Sequence, residues 1–438
     1  MPPAALTMPD LLGYVLDNRY ELLSMLGSGS YGVVYKAVDL KPNSPSDDQI
    51  RAIKIVRKAN RKPFELEAVR REVELQSLVT GHSNIVGIHD AFEDDNYFYL
   101  VLDLCHGGDL FHQICWRRAY ANHDEHLRRA FLKLVDAVDT CHQANIFHRD
   151  LKPENILTNV DGSELFLADF GLATQRTMVS ECGCGTQVYM SPEVVGRMTD
   201  RKPFDTRFAD IWALGVILVN MISGRQPWSI ASPEDYCFSQ WLEDPDFLKR
   251  MLPMSDGANL IIQCIFQLDP RDRISLNDLR QEIVELDTFF LTSEELSEAS
   301  DFARCVAADL RQPWGRQARR IRRPRVPPPQ PLCLPDVRDI LVGTESSSGN
   351  LIPSLTAQPE FDIPAPQRFY TAMEGDCPTE YAVDQRTSEA STSGSHVDQS
   401  NGAIKVGQVG NIVSETFWDG KAENFLKNFA QVLSPVYG

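Results

Sequence analysis

The sequence predicts an α+β domain of two lobes, a small β-rich one and a larger helical one, followed by a mostly disordered C-terminal tail. Three observations predict it. Short apolar and aromatic runs with strand character crowd between Tyr20 and Leu104. Segments with helical spacing take over from about Ala130 to Phe290. Beyond Leu291 the chain is polar and rich in Pro, Ser, Thr and Gly, too poor in apolar surface to offset the entropy of ordering it. A front of strands and a back of helices bury their apolar faces in separate layers. The expected division is residues 1–18 as an N-terminal extension, 19–290 as the domain and 291–438 as the tail.

From Tyr20 to Val38 the pattern is strand, glycine turn, strand. Lys41-Pro-Asn-Ser-Pro-Ser-Asp-Asp reads as an exposed loop. Ala52-Ile-Lys-Ile-Val is a short strand. Phe64 to Val79 has helical spacing, with Val69, Val73, Leu75 and Leu78 expected near one face. Asn96 to Leu104 is aromatic and β-branched, hence another strand. Ala130–His142 and Ile211–Ser223 read as helices. In the tail, residues 311–325 hold seven Arg and no acid, an expected nuclear-import or anion-binding segment against the plainer reading of a solvated linker. Phe417 to Leu433 has partly helical spacing, either a docking helix for regulators or a chance cluster.

Composition excludes some functions. With 61 acidic and 43 basic residues the net charge is −18, which argues against general affinity for nucleic acid. No run of 18 apolar residues appears, so no membrane insertion is expected, and the start lacks the charged and apolar regions of a secretory leader. Ten Cys without CxxC pairs suit a reducing compartment, cytoplasmic and/or nuclear.

Gly27-Ser28-Gly29-Ser-Tyr-Gly32-Val-Val34 is a G-x-G-x-x-G-x-V stretch, whose glycines let backbone N–H groups approach phosphate oxygens. A dinucleotide site would need a helix directly afterwards. Val33-Val-Tyr-Lys-Ala-Val instead alternates like a strand. Lys54 follows on a strand, 22 residues past Gly32. Among apolar neighbours its ammonium calls for a fixed anion, which triphosphate oxygens supply, and Glu72 on the following helix can hold it from behind.

His148-Arg-Asp150-Leu-Lys152-Pro-Glu-Asn155, followed by Asp169-Phe-Gly171, carries the most specific signal. Phosphoryl transfer needs an acceptor hydroxyl aligned for attack, and Asp150 can accept its proton. It also needs charge compensation, which Lys152 and Mg²⁺ supply. Asn155 and Asp169 are the hard oxygen ligands that Mg²⁺ prefers.

On these motifs the sequence resembles the eukaryotic protein kinase superfamily from about Arg19 to Phe290. The resemblance implies the bilobal protein kinase fold, with ATP in the cleft and protein substrates. It implies a hinge at Asp103, Leu104 and Cys105, whose backbone reads adenine behind a Leu102 gatekeeper. Val34, Ala52 and Leu157 would sandwich the ring, and Asp109 would face the ribose. Ser191-Pro-Glu193 stands for the usual A-P-E, Arg273 resembles the late arginine that pairs with Glu193, and the Asp210-Ile-Trp-Ala-Leu-Gly helix would anchor the catalytic loop. Lys152 and Thr186 point to Ser/Thr specificity. Cys182-Gly-Cys-Gly-Thr and the stretch from Ser232-Pro-Glu-Asp to Leu248-Lys-Arg-Met-Leu-Pro253 look most like fungal Ser/Thr kinases that restrain sexual conjugation and meiosis or respond to nutrients. One departure is Gln76, where most relatives carry an apolar core residue, and it is expected to loosen the alignment of its helix. A catalytically idle scaffold and a tail-centred adaptor are the rival readings.

The segment from Asp169 to Glu193 places Cys182 at the position, eleven residues before Glu193, where relatives carry a phosphoacceptor. Cys182 cannot serve. Glu181 beside it carries permanent charge and is expected to pair with Arg149, helped by Arg71 or Arg176, as a weaker substitute for a phosphate. Ser180 and Thr177 are expected as secondary sites.

Overall fold

The computed structural model describes residues 8–29, 32–42, 49–311 and 367–371. The N-terminal lobe is an antiparallel sheet ordered β1-β2-β3-β4-β6-β5-β11. Its strands are β1 (Val15–Leu16), β2 (Tyr20–Ser28), β3 (Gly32–Asp39), β4 (Ile50–Arg57), β5 (Ile88–Glu93), β6 (Tyr97–Asp103) and β11 (Gln367–Thr371). Alternation sets the faces: Val33, Tyr35 and Ala37 of β3 turn inward beside Ile53 and Ile55 of β4. Met8 and Leu16 of the extension join that cluster, so part of it belongs to the sheet. β4 lies between β3 and β6, with Lys54 opposite Val34 on one side and Leu100 on the other.

Helix α1 (Pro63–Val79) starts where Pro63 fixes φ at its first turn and the Glu65 carboxylate accepts from the Lys62 backbone N–H at 2.7 Å. Its buried residues include Val69, Glu72, Val73, Leu75, Gln76 and Val79. Leu78, expected on that face, is 62% exposed. It lies nine residues past Val69, half a turn out of phase at about 100° per residue. Gln76 is buried and donates from Nε2 to the Val86 carbonyl at 2.7 Å. The amide is satisfied, and it pins the helix to the following loop rather than loosening it.

The C-terminal lobe begins with the single turn α2 (Leu110–His112) and α3 (Asp124–Gln143), six residues longer at its start than the apolar spacing predicts. Two antiparallel strand pairs follow, β7 (Ile156–Thr158) with β8 (Leu165–Leu167) and β9 (Met178–Val179) with β10 (Phe204–Asp205). Between β9 and β10 lies the turn α4 (Pro192–Val195). Central to the lobe is α5 (Thr206–Ser223), capped by Asp205 and ended by Gly224 at φ +64°. By length and apolarity α5 would cross a membrane, but 89% of that window is buried inside the lobe. Around it pack α6 (Tyr236–Glu243), α7 (Phe247–Met251), α8 (Asp256–Ile265) and α9 (Leu276–Glu285).

The helical lobe runs past the boundary expected at Phe290. Thr292 and Glu295 form a reciprocal capping box that starts α10 (Ser293–Glu298). Ser300 caps α11 (Asp301–Leu310), whose Ala303, Val306, Ala307 and Leu310 are buried on one stripe. Asp309 of α11 receives Arg225 at 2.7 Å. Strand β11 is a second departure, an ordered element where the tail was expected to have none. Positions 43–48 of the expected loop, the arginine-rich segment past Arg311 and the Phe417–Leu433 patch lie outside the described residues.

Candidate active site

The glycine turn joins β2 to β3, and Gly29 N–H closes it on the Gly32 carbonyl at 2.9 Å. Gly27 and Ser28 pair with Val34 and Val33. A Cβ on Gly32 would strike the Ile55 carbonyl, so the strand crossing here demands glycine. Below the turn, Lys54 Nζ donates to Glu72 Oε1 at 2.6 Å and to Asp169 Oδ1 at 3.1 Å. Burial opposes the charge of Lys54, but Glu72 and Asp169 together outweigh it and keep the ammonium protonated. The same ammonium holds the Asp169 carboxyl below the usual range. Burial raises Glu72, with Lys54 acting against it. Asp169 has φ +63°, a left-handed backbone that aims its side chain into the cleft at some strain.

The catalytic loop is held from beneath by α5. Asp210, 1% exposed, accepts from the backbone N–H of His148 at 2.9 Å and of Arg149 at 2.8 Å, and from His142 Nε2 at 2.9 Å. His148 Nε2 in turn donates to the Ala168 carbonyl at 3.0 Å, tying the loop to the residue before Asp169. Buried carboxylates need this satisfaction, and here it fixes the loop's path. Asp150 then presents its carboxylate to three partners. Oδ2 accepts from Lys152 Nζ at 2.6 Å and Asn155 Nδ2 at 3.1 Å, and Oδ1 accepts from Thr186 Oγ1 at 2.8 Å. Lys152 Nζ also donates to Thr186 Oγ1 at 2.9 Å, closing the ring. Gly185, to which the sequence assigns no role in the site, makes the approach possible. It sits at φ +108°, and a Cβ there would come within 2.6 Å of the Arg149 carbonyl.

Gly29, Gly32, Val34, Lys54, Glu72, Asp150 and Asp169 line one cleft between the lobes. The expected purine-side residues are arranged separately. Asp103 turns its carboxylate to the Gly87 N–H at 2.8 Å and to His89 Nε2 at 2.6 Å. Burial raises Asp103, and the His89 contact overcomes this to leave it lowered. With Leu104 and Cys105 it lines a different depression beside His82 and Asn159. Ala52 pairs with Leu102, and Leu157 bridges Asp109. Asp109 caps α2, its Oδ1 accepting from the His112 N–H at 2.7 Å.

In the activation segment Arg149 Nη2 meets Glu181 Oε2 at 3.1 Å, with Glu181 65% exposed. Among the described residues no ion pair joins Arg71 or Arg176 to Glu181, so Arg149 acts alone in that pairing. The segment ends at Glu193, which Arg273 grips through two bonds, Nη1–Oε1 at 2.5 Å and Nη2–Oε2 at 2.8 Å. Both side chains are buried, Arg273 at 0% and Glu193 at 5% exposure, and the guanidinium lies over the Trp212 ring at 4.9 Å. Arg273→Ala strands a buried carboxylate and is expected to lower stability by about 3–5 kcal/mol. Urea denaturation measures it. A loss below about 1 kcal/mol would mean that the pair is dispensable.

Comparison with known proteins agrees with this geometry. A family model described as "Protein kinase domain" matches residues 20–284. The chain is 37% identical over 290 residues to the "Negative regulator of sexual conjugation and meiosis" of Schizosaccharomyces pombe, covering 61% of this chain and 60% of that protein. It is 28% identical to the serine/threonine-protein kinase VHS1 of Saccharomyces cerevisiae, over 66% of this chain and 74% of that one. With CBL-interacting protein kinase 10 of Oryza sativa it shares 31% identity, over 64% and 63% of the two chains. This chain thus spans less than two thirds of the first of these relatives. The matched span contains the glycine turn, the Lys54–Glu72 pair, the catalytic loop and the Glu193–Arg273 clamp, and on that agreement the chain belongs to the protein kinase family.

Proposed function

We propose that the chain transfers the γ-phosphate of ATP to Ser and Thr hydroxyls of protein substrates. The observation that carries this reading is the closed set Asp150–Lys152–Thr186–Asn155, with Asp150 lining the same cleft as Lys54 and Asp169. In it Asp150 takes the proton of the acceptor hydroxyl, and Lys152 compensates charge growing on the transferred group. Thr186 fixes the carboxylate's orientation. Lys54, steadied by Glu72, holds phosphate oxygens beneath the glycine turn. The hinge backbone at Asp103–Cys105 takes the adenine, with Val34, Ala52 and Leu157 about the ring and Asp109 toward the ribose.

The donor set fits Mg²⁺. Asn155 commits its Nδ2 to Asp150, which leaves its amide oxygen as a ligand, and Asp169 is held ionised. Among the described residues no group of three or more His, Cys, Asp or Glu is placed to hold a metal ion. Two hard oxygens match an ion that completes its shell with phosphates and water. When bound, Mg²⁺ supplies charge neutralisation at the phosphates.

The conjugation and meiosis role named for the 37%-identical relative supports placing this chain in a signalling pathway that controls meiosis or the response to nutrients. Its proposed place is the cytoplasm and/or nucleus, with the arginine-rich segment serving import. Incubation with a Ser/Thr/Tyr peptide library and ATP, read by mass spectrometry, tests the activity. Phosphoserine and phosphothreonine support it, and phosphotyrosine alone sinks it.

The Arg149–Glu181 contact supports activity without activation-segment phosphorylation. A carboxylate has less charge and fewer acceptor oxygens than a phosphate, and an exposed pair of this kind contributes only about 0.2–1 kcal/mol. The order it imposes is therefore partial. Enzyme dephosphorylated to completion is expected to keep its basal turnover, and Glu181→Gln to lose several-fold, on the order of the pair's coupling. Turnover that vanishes with the phosphate, or in Ser180→Ala, would transfer the switch to Ser180.

A further inference from the structure

Strand β11 lies on the edge of the N-lobe sheet, antiparallel to β5, with Gln367 opposite Glu93 and Thr371 opposite Asp90. Its chemistry is Arg368-Phe369-Tyr370. Arg368 donates from Nε to Asp90 Oδ2 at 3.1 Å and pairs through Nη2 with Asp17. Asp90 is 1% exposed, so this guanidinium reaches a carboxylate inside the sheet. Phe369 meets Phe98 edge to face, centroids 6.0 Å apart. Phe369 and Tyr370 pack against the cluster that contains Val69 and Val73 of α1. Those two valines flank Glu72, whose contact with Lys54 is the alignment of the site. Arg70, also on α1, lies over the Phe98 ring at 5.3 Å and donates to Glu93 of β5 at 2.8 Å. A continuous stack thus runs from the tail strand through Phe98 to the helix that carries Glu72.

An open sheet edge is a template for an added strand: main-chain pairing gives affinity and alternate side chains give specificity. From these contacts we infer that the β5 edge is a docking surface, that residues 367–371 of the same chain are its occupant, and that docking braces α1 in the position where Glu72 meets Lys54. The two aromatic rings pack, partly buried, against the same cluster that receives Val69 and Val73 of α1. Arg368 sets the register by its two carboxylates. Phe369 and Tyr370 are positioning residues, acting on catalysis through α1. A strand of the same chemistry supplied by another molecule would compete for the edge, at a disadvantage against a segment of the same chain.

The test uses the full chain with Phe369→Ala and Tyr370→Ala together, and a fluorescent peptide of residues 363–374. Three quantities are read: peptide affinity, hydrogen exchange in α1, and kcat against KM for ATP. The variant is expected to bind the peptide about tenfold more tightly than the native chain, whose edge is already occupied. It is expected to exchange faster in α1 but not in α5, and to lose about tenfold in kcat. Saturating peptide should restore kcat, and an Arg368→Glu peptide should not. Equal peptide affinity for the two chains, or a peptide that binds without slowing exchange in α1, would overturn the inference. So would lost turnover that peptide fails to restore, which also covers a variant that is merely unstable. Loss of native kcat on dilution would overturn docking within one chain, since it would assign the strand to a second copy. The inference rests on the phosphotransfer reading only for kcat. The affinity and exchange readouts need no catalysis and fail separately from it.

Discussion

Asp150→Asn is expected to lower turnover by on the order of 10²–10⁴-fold, the usual share of a positioned acid or base, while nucleotide affinity should stay within about twofold. The geometry separates the two quantities. Asp150 bonds to Lys152, Asn155 and Thr186, with the proposed acceptor hydroxyl meeting its carboxylate. Lys54, proposed to hold the nucleotide's phosphates, pairs instead with Glu72 and Asp169. An amide of the same shape leaves the loop's support by Asp210 untouched, because that support acts through the backbone N–H groups of His148 and Arg149. What it removes is the capacity to accept a proton. Turnover and nucleotide affinity measured on one preparation check this, and turnover within tenfold of native would remove Asp150 from the proposed role.

Lys54→Met is expected to lower turnover by about 10²–10³-fold, in the range seen when one preorganised charge-stabilising donor is lost. The unbranched thioether fills the lysine's volume but leaves Glu72 and Asp169 facing each other without the ammonium that both now contact, at 2.6 and 3.1 Å. Glu72, already raised by burial, moves further toward its neutral form, and the link from α1 to the phosphate site is broken. Hydrogen exchange in α1 should therefore quicken along with the loss of activity. A fully active variant would overturn the placement of phosphates beside Lys54.

The chemistry of the site was more legible than its packing. The catalytic loop could be read because phosphoryl transfer requires several residue types at fixed spacing, and the structure brings Asp150, Lys152, Asn155 and Thr186 within hydrogen-bond distance of one another. The Arg149–Glu181 pair was legible from the resemblance to relatives that carry a phosphoacceptor beside that position. Gly185 was not, since its need for a bare Cα comes from the Arg149 carbonyl, far away in sequence. The direction of the Asp103 side chain was hidden for the same reason, its partners Gly87 and His89 lying just before β5 and within it. In α1 the error was one of phase: Leu78 looks like core by composition and faces outward by periodicity. Gln76 departs from expectation because its acceptor, the Val86 carbonyl, lies ten residues on and outside the helix. The start of α10 was signalled by Thr292-Ser-Glu-Glu295, a capping pattern with too short an apolar run behind it to stand out. Strand β11 gave least warning. Five residues after a Pro-rich stretch carry almost no periodic signal, and their order comes from the sheet edge that receives them.

Phosphoryl transfer to Ser and Thr hydroxyls can be followed in a single turnover. Purified full chain, in excess over γ-labelled ATP and with Mg²⁺ present, is mixed with a protein substrate, and the labelled product is hydrolysed to its amino acids. Label is expected on phosphoserine and phosphothreonine at a rate that collapses in Asp150→Asn and in Lys54→Met. Label that stays on ATP, or transfer that both variants leave unchanged, would contradict it.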